Sequence, residues 1–428
     1  MHALDVAVIG CGSAGPATAV LLQRAGHRVT VFEAVPDFGA VGAGVLLQPT
    51  GLEVLARAGV LEPILMHGAP VTRLHCCTRS GATILDLAYG ELGASVRGIG
   101  IHRAVLLHYL VEAMRAAAIP VHLGTAITEI VPAGPAASLL RDAGGAAHGP
   151  FDLVVVADGA RSALRARLSV RARVTPYPWG ALWFIGRDPE RRFDGRLSQI
   201  VHGARNMIGT LPTGMNLDRS APLVSLFFSV RLTGIDALRR AGIDAWRDGV
   251  RALAPETAPI LAQIAGFEQL ATAAYLDVRM RPWHAGPVLL LGDAAHATSP
   301  QLGQGVNLAL RDAACLTDCL VDAASVPAAL AEYTRRRTHH LAYYQRASRW
   351  LTPFFQSSSR VLGWIRDLGF AAVTRIAPLR RKMIRTMAGL ERGVLRSGLA
   401  VPPAPPEPPP MLPPGAGAPP PAEICLGD

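Results

Sequence analysis

The chain has 428 residues, half of them apolar, which is enough for more than one hydrophobic core and excludes disorder over most of its length. Its net charge of +10 is concentrated in residues 335–396, which hold 14 Lys or Arg against two acidic residues, while the rest of the chain carries −2. No nucleic-acid-reading motif accompanies this charge, which argues against a nucleic-acid partner.

The six cysteines show neither the paired spacing of a disulfide framework nor that of a zinc site. The N-terminus leads into an apolar run without the basic region of a signal peptide, and no apolar stretch reaches the about 20 residues of a spanning helix. We therefore expect a cytoplasmic protein. Two interpretations of the basic segment stay open, a solvated helical face and peripheral contact with an anionic membrane through residues 335–396.

The first motif is a Gly-x-Gly-x-x-Gly between an apolar strand at residues 5–10 and a leucine-rich helix. Glu33 ends the next strand, 18 positions after the last of these glycines. Strand, glycine loop, helix and distal acidic residue together predict dinucleotide binding, since the glycines let a pyrophosphate approach the backbone and the acidic residue accepts from a ribose hydroxyl. The candidate contacts in the loop are Gly10, Gly12, Ser13, Ala14 and Gly15.

Two further apolar strands end in polar turns, at Asp158–Gly159 and at Gly292–Asp293. In open α/β sheets ligands bind at the carboxyl ends of the strands, so these turns are candidate ligand contacts, with an ordinary Asp-Gly turn as the competing interpretation at Asp158. Arg103, at the start of a helix predicted to end near residue 117, is either a cofactor contact or a surface arginine.

A loop containing Pro300 follows the Gly-Asp turn and leads through Gly303 and Gly305 into a helix predicted over residues 305–321. The N-terminus of a helix presents unpaired N–H groups and the positive end of its dipole. We therefore expect a negative or electron-rich group to bind there.

Alternating strand patterns indicate a second, mainly antiparallel sheet, interrupted by a helical stretch at residues 236–253. Further helices are predicted at about residues 327–350, 358–370 and 378–392. The predicted division is a discontinuous cofactor-binding domain (1–70, 96–175 and 281–350), an inserted sheet domain that binds substrate (71–95 and 176–280), a basic helical segment (351–396) and a Pro-rich disordered tail (397–428).

The three motifs, in this order and spacing, resemble those of the single-component FAD-dependent aromatic hydroxylases with the para-hydroxybenzoate hydroxylase fold. The resemblance covers residues 3 to about 350. It implies an α/β protein with a Rossmann-like FAD-binding domain, an inserted mainly antiparallel β-sheet domain for the substrate, and C-terminal helices. It also implies that NAD(P)H reduces the FAD and that a C4a-hydroperoxyflavin formed with O2 hydroxylates an aromatic or polycyclic small molecule. NADH versus NADPH, and monomer versus homodimer, stay open.

The resemblance also implies roles for single residues. Glu33 binds the adenosine ribose, Arg103 contacts the FAD, and Asp293 binds its ribitol or ribose side. Asp158 and Gly159 serve the pyrophosphate region and NAD(P)H.

On the same resemblance, the loop around Pro300 lies against the isoalloxazine, and the helix start at Gly303–Gly305 faces the part of the ring that becomes negative on reduction. Since the cofactor carries the chemistry, no catalytic triad is expected, and His296 is interpreted as a structural histidine. Substrate-facing candidates on the inserted sheet are Trp183, His202 and Phe227, each of which also fits an ordinary core position.

Three alternative functions differ in how well they fit the sequence. Halogenation is disfavoured because the Trp-x-Trp-x-Ile-Pro motif is absent from the sequence. A quinone or polyprenyl-ring hydroxylase at a membrane surface remains an alternative because of the basic segment. A non-catalytic flavin-binding interaction protein is the alternative from another functional class.

Overall fold

The structure is a computed structural model that describes residues 2–38, 43–394 and 398–403. Most of the predicted Pro-rich tail lies outside the described residues.

The described residues form β-strands and α-helices. The strands are β1 (Asp5–Ile9), β2 (Arg28–Phe32), β3 (Gly44–Leu47), β4 (Ala69–Thr78), β5 (Thr83–Ala88), β6 (Gly98–His102), β7 (Val121–His122), β8 (Ile127–Pro132), β9 (Ser138–Asp142), β10 (Ala147–Phe151), β11 (Leu153–Val156), β12 (Ala172–Arg187), β13 (Gly195–His202), β14 (Asn206–Met215), β15 (Pro222–Arg231), β16 (Ala271–Met280), β17 (His284–Ala285) and β18 (Val288–Leu290). The α-helices are α1 (Ala14–Arg24), α2 (Pro49–Arg57), α3 (Leu61–His67), α4 (Arg103–Ala116), α5 (Ile235–Ala241), α6 (Ile243–Leu253), α7 (Ala258–Leu261), α8 (Asp293–His296), α9 (Gly305–Asp322), α10 (Val326–Phe355), α11 (Arg360–Val373) and α12 (Ala377–Met387).

The first sheet has the strand order β17-β18-β11-β1-β2-β7 and is parallel except for β17 at its edge. Its central strands are almost wholly buried because helices pack on the sheet, which explains why they read as continuous apolar runs. Helix α1 packs against α9, and α9 against α10. The α/β class predicted from the sequence is confirmed.

The second sheet has the order β16-β12-β15-β14-β13-β4-β6-β3, with β5 paired to β4. Its pairs are antiparallel except for β13 and β4, which run parallel. Strands β3 and β6, which come from ranges assigned to the cofactor-binding domain, are hydrogen-bonded into this second sheet. The predicted division into domains therefore does not follow the boundary between the two sheets.

Most predicted helices are present within a few residues of their expected bounds. The stretch predicted as one helix over residues 236–253 is two helices, α5 and α6, because Gly242 between them has a φ of +89°. Among the described residues, no helix is long and apolar enough to cross a membrane.

Helices cover both faces of the second sheet. On one face, Trp246 and Val250 of α6 pack against Leu226 of β15 in a separate hydrophobic cluster. On the other face, Phe355 at the end of α10 packs against Phe227 and its neighbours. Helix α12 contributes to a further cluster on the strands near β6. The C-terminal helices are thus part of the core of the protein.

A buried ionic network connects β18, α9 and α10. The carboxylate of Asp312 accepts hydrogen bonds from His296 Nε2 at 2.5 Å, Arg337 Nε at 2.7 Å and the Gly292 N–H at 3.0 Å. Burial opposes ionisation of Asp312, but nearby His296 and Arg337 outweigh it and hold the pKa of the carboxyl below its ordinary value. The carboxylate therefore stays charged and fully satisfied in a site without water access.

We expect Asp312→Ala to lower the free energy of unfolding by about 3–5 kcal/mol, because it leaves Arg337 buried without its carboxylate. Asp318→Ala is the matched control on the same helix, since its ion pair with Arg57 is about 40% exposed and worth about 0–1 kcal/mol. Denaturant unfolding of both variants makes the comparison. Equal small losses would show that the network does not stabilise the fold.

Candidate functional site

Three loops meet at the carboxyl edge of the first sheet, because β1, β11 and β18 are parallel neighbours. A Cβ placed on Gly10 would lie 2.9 Å from Asp158 Cα, and one on Gly292 would lie 3.4 Å from Ala14 Cβ. The three motifs that are far apart in sequence thus touch each other in the structure.

The glycine loop after β1 turns sharply to start α1. A Cβ on Gly15 would lie 1.9 Å from Gly10 O, and Gly10 has a φ of +100°, so larger residues at either position would disrupt the turn. Among the described residues, the N-cap residue of α1, Ser13, makes no side-chain capping hydrogen bond. Gly12, in the same loop, is not crowded. A Cβ placed on it would have Arg103 Nη2 as its nearest neighbour, at 3.9 Å. Uncapped N–H groups and a guanidinium thus face the same space.

Glu33 stands at the end of β2, next to the glycine loop. Its Oε2 accepts from the Cys11 N–H at 2.5 Å and its Oε1 from the Val35 N–H at 3.1 Å. These bonds fix the carboxylate at the edge of the loop. The remaining acceptor capacity of its oxygens is available to a hydroxyl.

Asp158 follows β11, with Gly159 after it in open space at a φ of +86°. Oδ1 of Asp158 is buried and has no hydrogen-bond partner among the described residues. Burial raises the pKa of this carboxyl. Arg165 holds the turn in place by donating to Ala160 O and to Ala294 O of α8, at 2.9 and 2.8 Å. A buried oxygen without a donor is expected to receive one from a ligand.

Asp293 begins α8 immediately after β18. Its side chain is accessible because it faces the cleft, yet the surrounding protein desolvates it and raises its pKa, with His296 and Arg103 offsetting this only in part. A Cβ on Gly305 would lie 3.9 Å from Asp293 Oδ1, so the carboxylate lies beside the start of α9. His296 points away from the cleft, into the bond with Asp312.

The start of α9 is held by Asn307. Its side chain donates to Leu46 O of β3 at 3.0 Å and accepts from the Gln48 N–H at 2.8 Å. Gln304 donates to Met387 O of α12, whereas its buried Oε1 has no partner among the described residues. Gln304 is also the N-cap residue of α9, and in the part of the chain that the structure describes it makes no side-chain capping hydrogen bond. A second uncapped helix start therefore opens on the same cleft.

The loop before α9 is tied to the second sheet through the end of α10. Gln301 donates to Gln356 Oε1 at 3.0 Å, and Gln356 donates to Ser229 Oγ of β15 at 3.0 Å. Pro300 lies exposed between these contacts and α8, and Gly303 has a φ of +60°. The loop thus bridges the two sheets.

The three substrate-facing candidates lie at two different places in the structure. Trp183 and Phe227 form an aromatic pair with ring centroids 5.1 Å apart, and Trp183 Nε1 donates to the Tyr275 hydroxyl at 3.5 Å. Burial raises the pKa of Tyr275 to about 12, so this hydroxyl stays protonated. His202 is exposed at the end of β13, where it lines a different cavity together with Arg205.

Several residues that build the cleft were not predicted from the sequence. They are polar side chains whose partners are distant in the chain, and no motif marks them: Arg165, Gln301, Gln304, Asn307 and Gln356. The one available signal is position, since three of them lie within the loop and helix start that follow Gly292–Asp293.

The cleft can bind an extended, anionic, hydroxyl-rich ligand. It presents two uncapped helix N-termini and Arg103 to negative groups, and carboxylates at Glu33, Asp158 and Asp293 to hydroxyl or amine donors. A dinucleotide has this combination of phosphates and ribose or ribitol hydroxyls.

Residues 3–347 match the family described as FAD binding domain. The chain is 31% identical to 3-amino-4-hydroxybenzoate 2-monooxygenase of Streptomyces cremeus over 82% of this chain and 88% of the relative. It is 28% identical to kynurenine 3-monooxygenase of Salinispora arenicola, over 78% of this chain and 76% of the relative.

Among solved structures, Klebsiella pneumoniae HpxO complexed with FAD and uric acid superposes with a TM-score of 0.75, at 22% identity, over 90% of this chain and 97% of HpxO. At this identity the superposition shows the fold. The match over most of the chain shows the family: this protein belongs to the FAD-binding-domain family and is an FAD-dependent aromatic monooxygenase, an oxidoreductase.

Proposed function

We propose that the cleft described above is the FAD site, and that the enzyme uses NAD(P)H and O2 to hydroxylate a small aromatic molecule whose ring carries an amino or hydroxyl group. The observation that carries the site assignment is the unpaired, buried oxygen of Asp158 beside the uncapped N-terminus of α1, at the edge where three loops converge. Unsatisfied acceptors and donors at one point indicate a ligand that satisfies both.

The residues fit FAD along its length. In this assignment the N–H groups of Gly12, Ser13 and Ala14 and the guanidinium of Arg103 bind the pyrophosphate. Glu33 accepts from the adenosine ribose, and Asp293 accepts from the ribityl hydroxyls. Asp158 accepts a hydrogen bond at the pyrophosphate end of the cleft, where Gly159 leaves space for NAD(P)H to approach.

FAD, when bound, supplies electron transfer from NAD(P)H and the activation of O2. The chain supplies position and charge stabilisation. The N-terminus of α9, open at Gly303–Gly305, favours negative charge next to it by about 0.3–2 kcal/mol. Pro300 presents an apolar surface without an N–H group, and the bridge from Gln301 to Gln356 keeps this loop at a fixed distance from the substrate sheet.

The substrate class follows from the relatives and from the aromatic cluster on the second sheet. The named relatives act on 3-amino-4-hydroxybenzoate and on kynurenine. In this chain Trp183, Phe227 and Tyr275 offer flat apolar surfaces and one protonated hydroxyl. Such a wall suits a planar ring with a polar substituent.

A second candidate is hydroxylation of a ring compound taken up at a membrane surface. One observation favours it: four large apolar side chains of α11 are exposed, namely Val361, Trp364, Ile365 and Leu368. We refer to these four residues as the α11 apolar face.

We expect Asp293→Ala to weaken FAD binding by about 10- to 150-fold, because it removes hydrogen bonds to a charged carboxylate worth about 1.5–3 kcal/mol. Purified variant protein should be largely colourless, and the flavin-to-protein ratio after gel filtration measures the loss. Asp322→Ala, in an exposed ion pair at the other end of α9, is the control and should stay yellow. Stoichiometric FAD of normal affinity in Asp293→Ala would refute the assignment.

We expect the yellow, FAD-loaded protein to oxidise NADH or NADPH under air, faster when an amino- or hydroxybenzoate substrate is present. Mass spectrometry with ¹⁸O₂ should find one labelled oxygen atom in the product, because a monooxygenase transfers one atom of O2. The panel includes phenols, quinolines and polyketides for the wider aromatic class. If no compound yields labelled product while flavin content is full, the proposed reaction is wrong.

A further inference from the structure

Helix α11 is inverted relative to an ordinary surface helix, which buries its apolar side and exposes its charged side. Arg366 is fully buried, while Trp364 is 73% and Leu368 77% exposed. The exposed positions 361, 364, 365 and 368 follow the spacing of a single helix face. The outward apolar side therefore belongs to one continuous stripe.

The buried side of α11 is firmly attached to the body. Arg366 donates to Gly203 O at 3.0 Å, to Phe354 O at 2.9 Å and to the carboxylate of Asp367. A Cβ on Gly363 would lie 3.0 Å from the Ala204 backbone nitrogen, so the helix is in close contact with the turn between β13 and β14. These contacts hold α11 in a single orientation, and a rotation that hid the stripe would break them.

The charge around the α11 apolar face is positive. Arg360 and Arg375 lie exposed at its two ends, and neither guanidinium has an ion-pair partner among the described residues. At the Arg360 end opens a cavity of about 890 Å³, lined in part by Trp364, Arg79 and Arg205. The acidic residue of α11, Asp367, also lines this cavity, but its carboxylate is bonded to Arg366.

The basic residues elsewhere in the C-terminal segment are largely neutralised. Arg337 pairs with Asp312, Arg380 with Glu91, and both Lys382 and Arg385 with Glu391. Arg360 and Arg375 thus leave unpaired positive charge at both ends of the apolar stripe, although Arg346 and Arg381 are also exposed and without an ion-pair partner among the described residues. An exposed apolar stripe with an unpaired arginine at each end indicates an occupant that is apolar inside and anionic at its surface.

We propose that the α11 apolar face docks on the surface of an anionic phospholipid bilayer. Trp364 and the aliphatic residues enter the boundary between headgroups and acyl chains, and Arg79, Arg205, Arg360 and Arg375 contact the headgroup phosphates. The contact is peripheral. It is independent of which aromatic compound the enzyme hydroxylates.

A second copy of the chain fits this face less well. Antiparallel pairing of two α11 helices would place Arg360 of one beside Arg375 of the other, and parallel pairing would place identical arginines together. The whole of α11 is only about 21 Å long and about 10 Å wide, because its 14 residues rise about 1.5 Å each, and the stripe covers part of that length. That is well below the about 800 Å² per partner of a stable interface.

The test is co-sedimentation of the full-length, FAD-loaded protein with vesicles of phosphatidylcholine alone and of phosphatidylcholine mixed with phosphatidylglycerol. We expect binding to the mixed vesicles, weakened by salt, and little binding to the neutral ones. The double variant Trp364→Glu/Leu368→Glu should bind at least about tenfold more weakly. The control Leu217→Glu/Val321→Glu, two exposed apolar residues on other elements, should bind as the unchanged protein does.

Fluorescence provides a second readout. Trp364 and Trp350 are the exposed tryptophans, so vesicle binding should shift the emission to shorter wavelength, and Trp364→Phe should remove most of the shift while binding persists. The flavin-to-protein ratio of each variant reports on its folding.

Equal binding to neutral and anionic vesicles, or undiminished binding of Trp364→Glu/Leu368→Glu, would overturn the proposal. So would a dimer in solution that this variant converts to monomer, which would assign the face to a second copy. The unchanged protein could instead fail to bind vesicles and bind an acidic peptide saturably at Arg360 and Arg375. That result would assign the face to a protein partner and would also overturn the proposal.

Discussion

The carboxylate of Asp312 is the constraint on which the cleft depends. It is excluded from water, so its charge must be satisfied by the protein, and the three donors that satisfy it come from the turn after β18, from α8 and from α10. One of them is the N–H of Gly292, the residue before Asp293. The direction of the Asp293 side chain is therefore set by an ion pair that itself does not reach the cleft.

The same network reaches the C-terminal part of the chain. Arg337 donates to His340 Nδ1 at 2.7 Å, and His340 Nε2 donates to Gly389 O at 2.9 Å. Burial, followed by the charge of Arg337, lowers the pKa of His340 to about 3, so this imidazole is neutral and can accept on one nitrogen while donating from the other. A single chain of hydrogen bonds thus joins the Gly292–Asp293 turn to the segment beyond α12.

The sequence predicts the convergence of the three loops well because the relevant geometry is local. A buried parallel strand followed by a polar turn already specifies which end of the sheet the turn occupies, and this holds for Gly10, Asp158 and Asp293. The second sheet is predicted less completely. Alternation indicates strands and their faces, but the parallel pairing of β13 with β4 joins segments more than 100 residues apart, and periodicity carries no information on the partner strand.

The charge of residues 335–396 leads to a different conclusion in the structure than in the sequence. A local net charge of +12 indicates a basic surface. Many of these basic side chains, however, form ion pairs within the protein that attach α10 and α12 to its body. Gln304 bonds to Met387 O, and Phe355 packs on the second sheet. Residues after 350 therefore contact both the loop before α9 and the second sheet. Helix α11 is the part of this segment whose apolar side faces outward, and its inner side contacts the end of α10, so a contact made on α11 reaches the helix that packs on the second sheet.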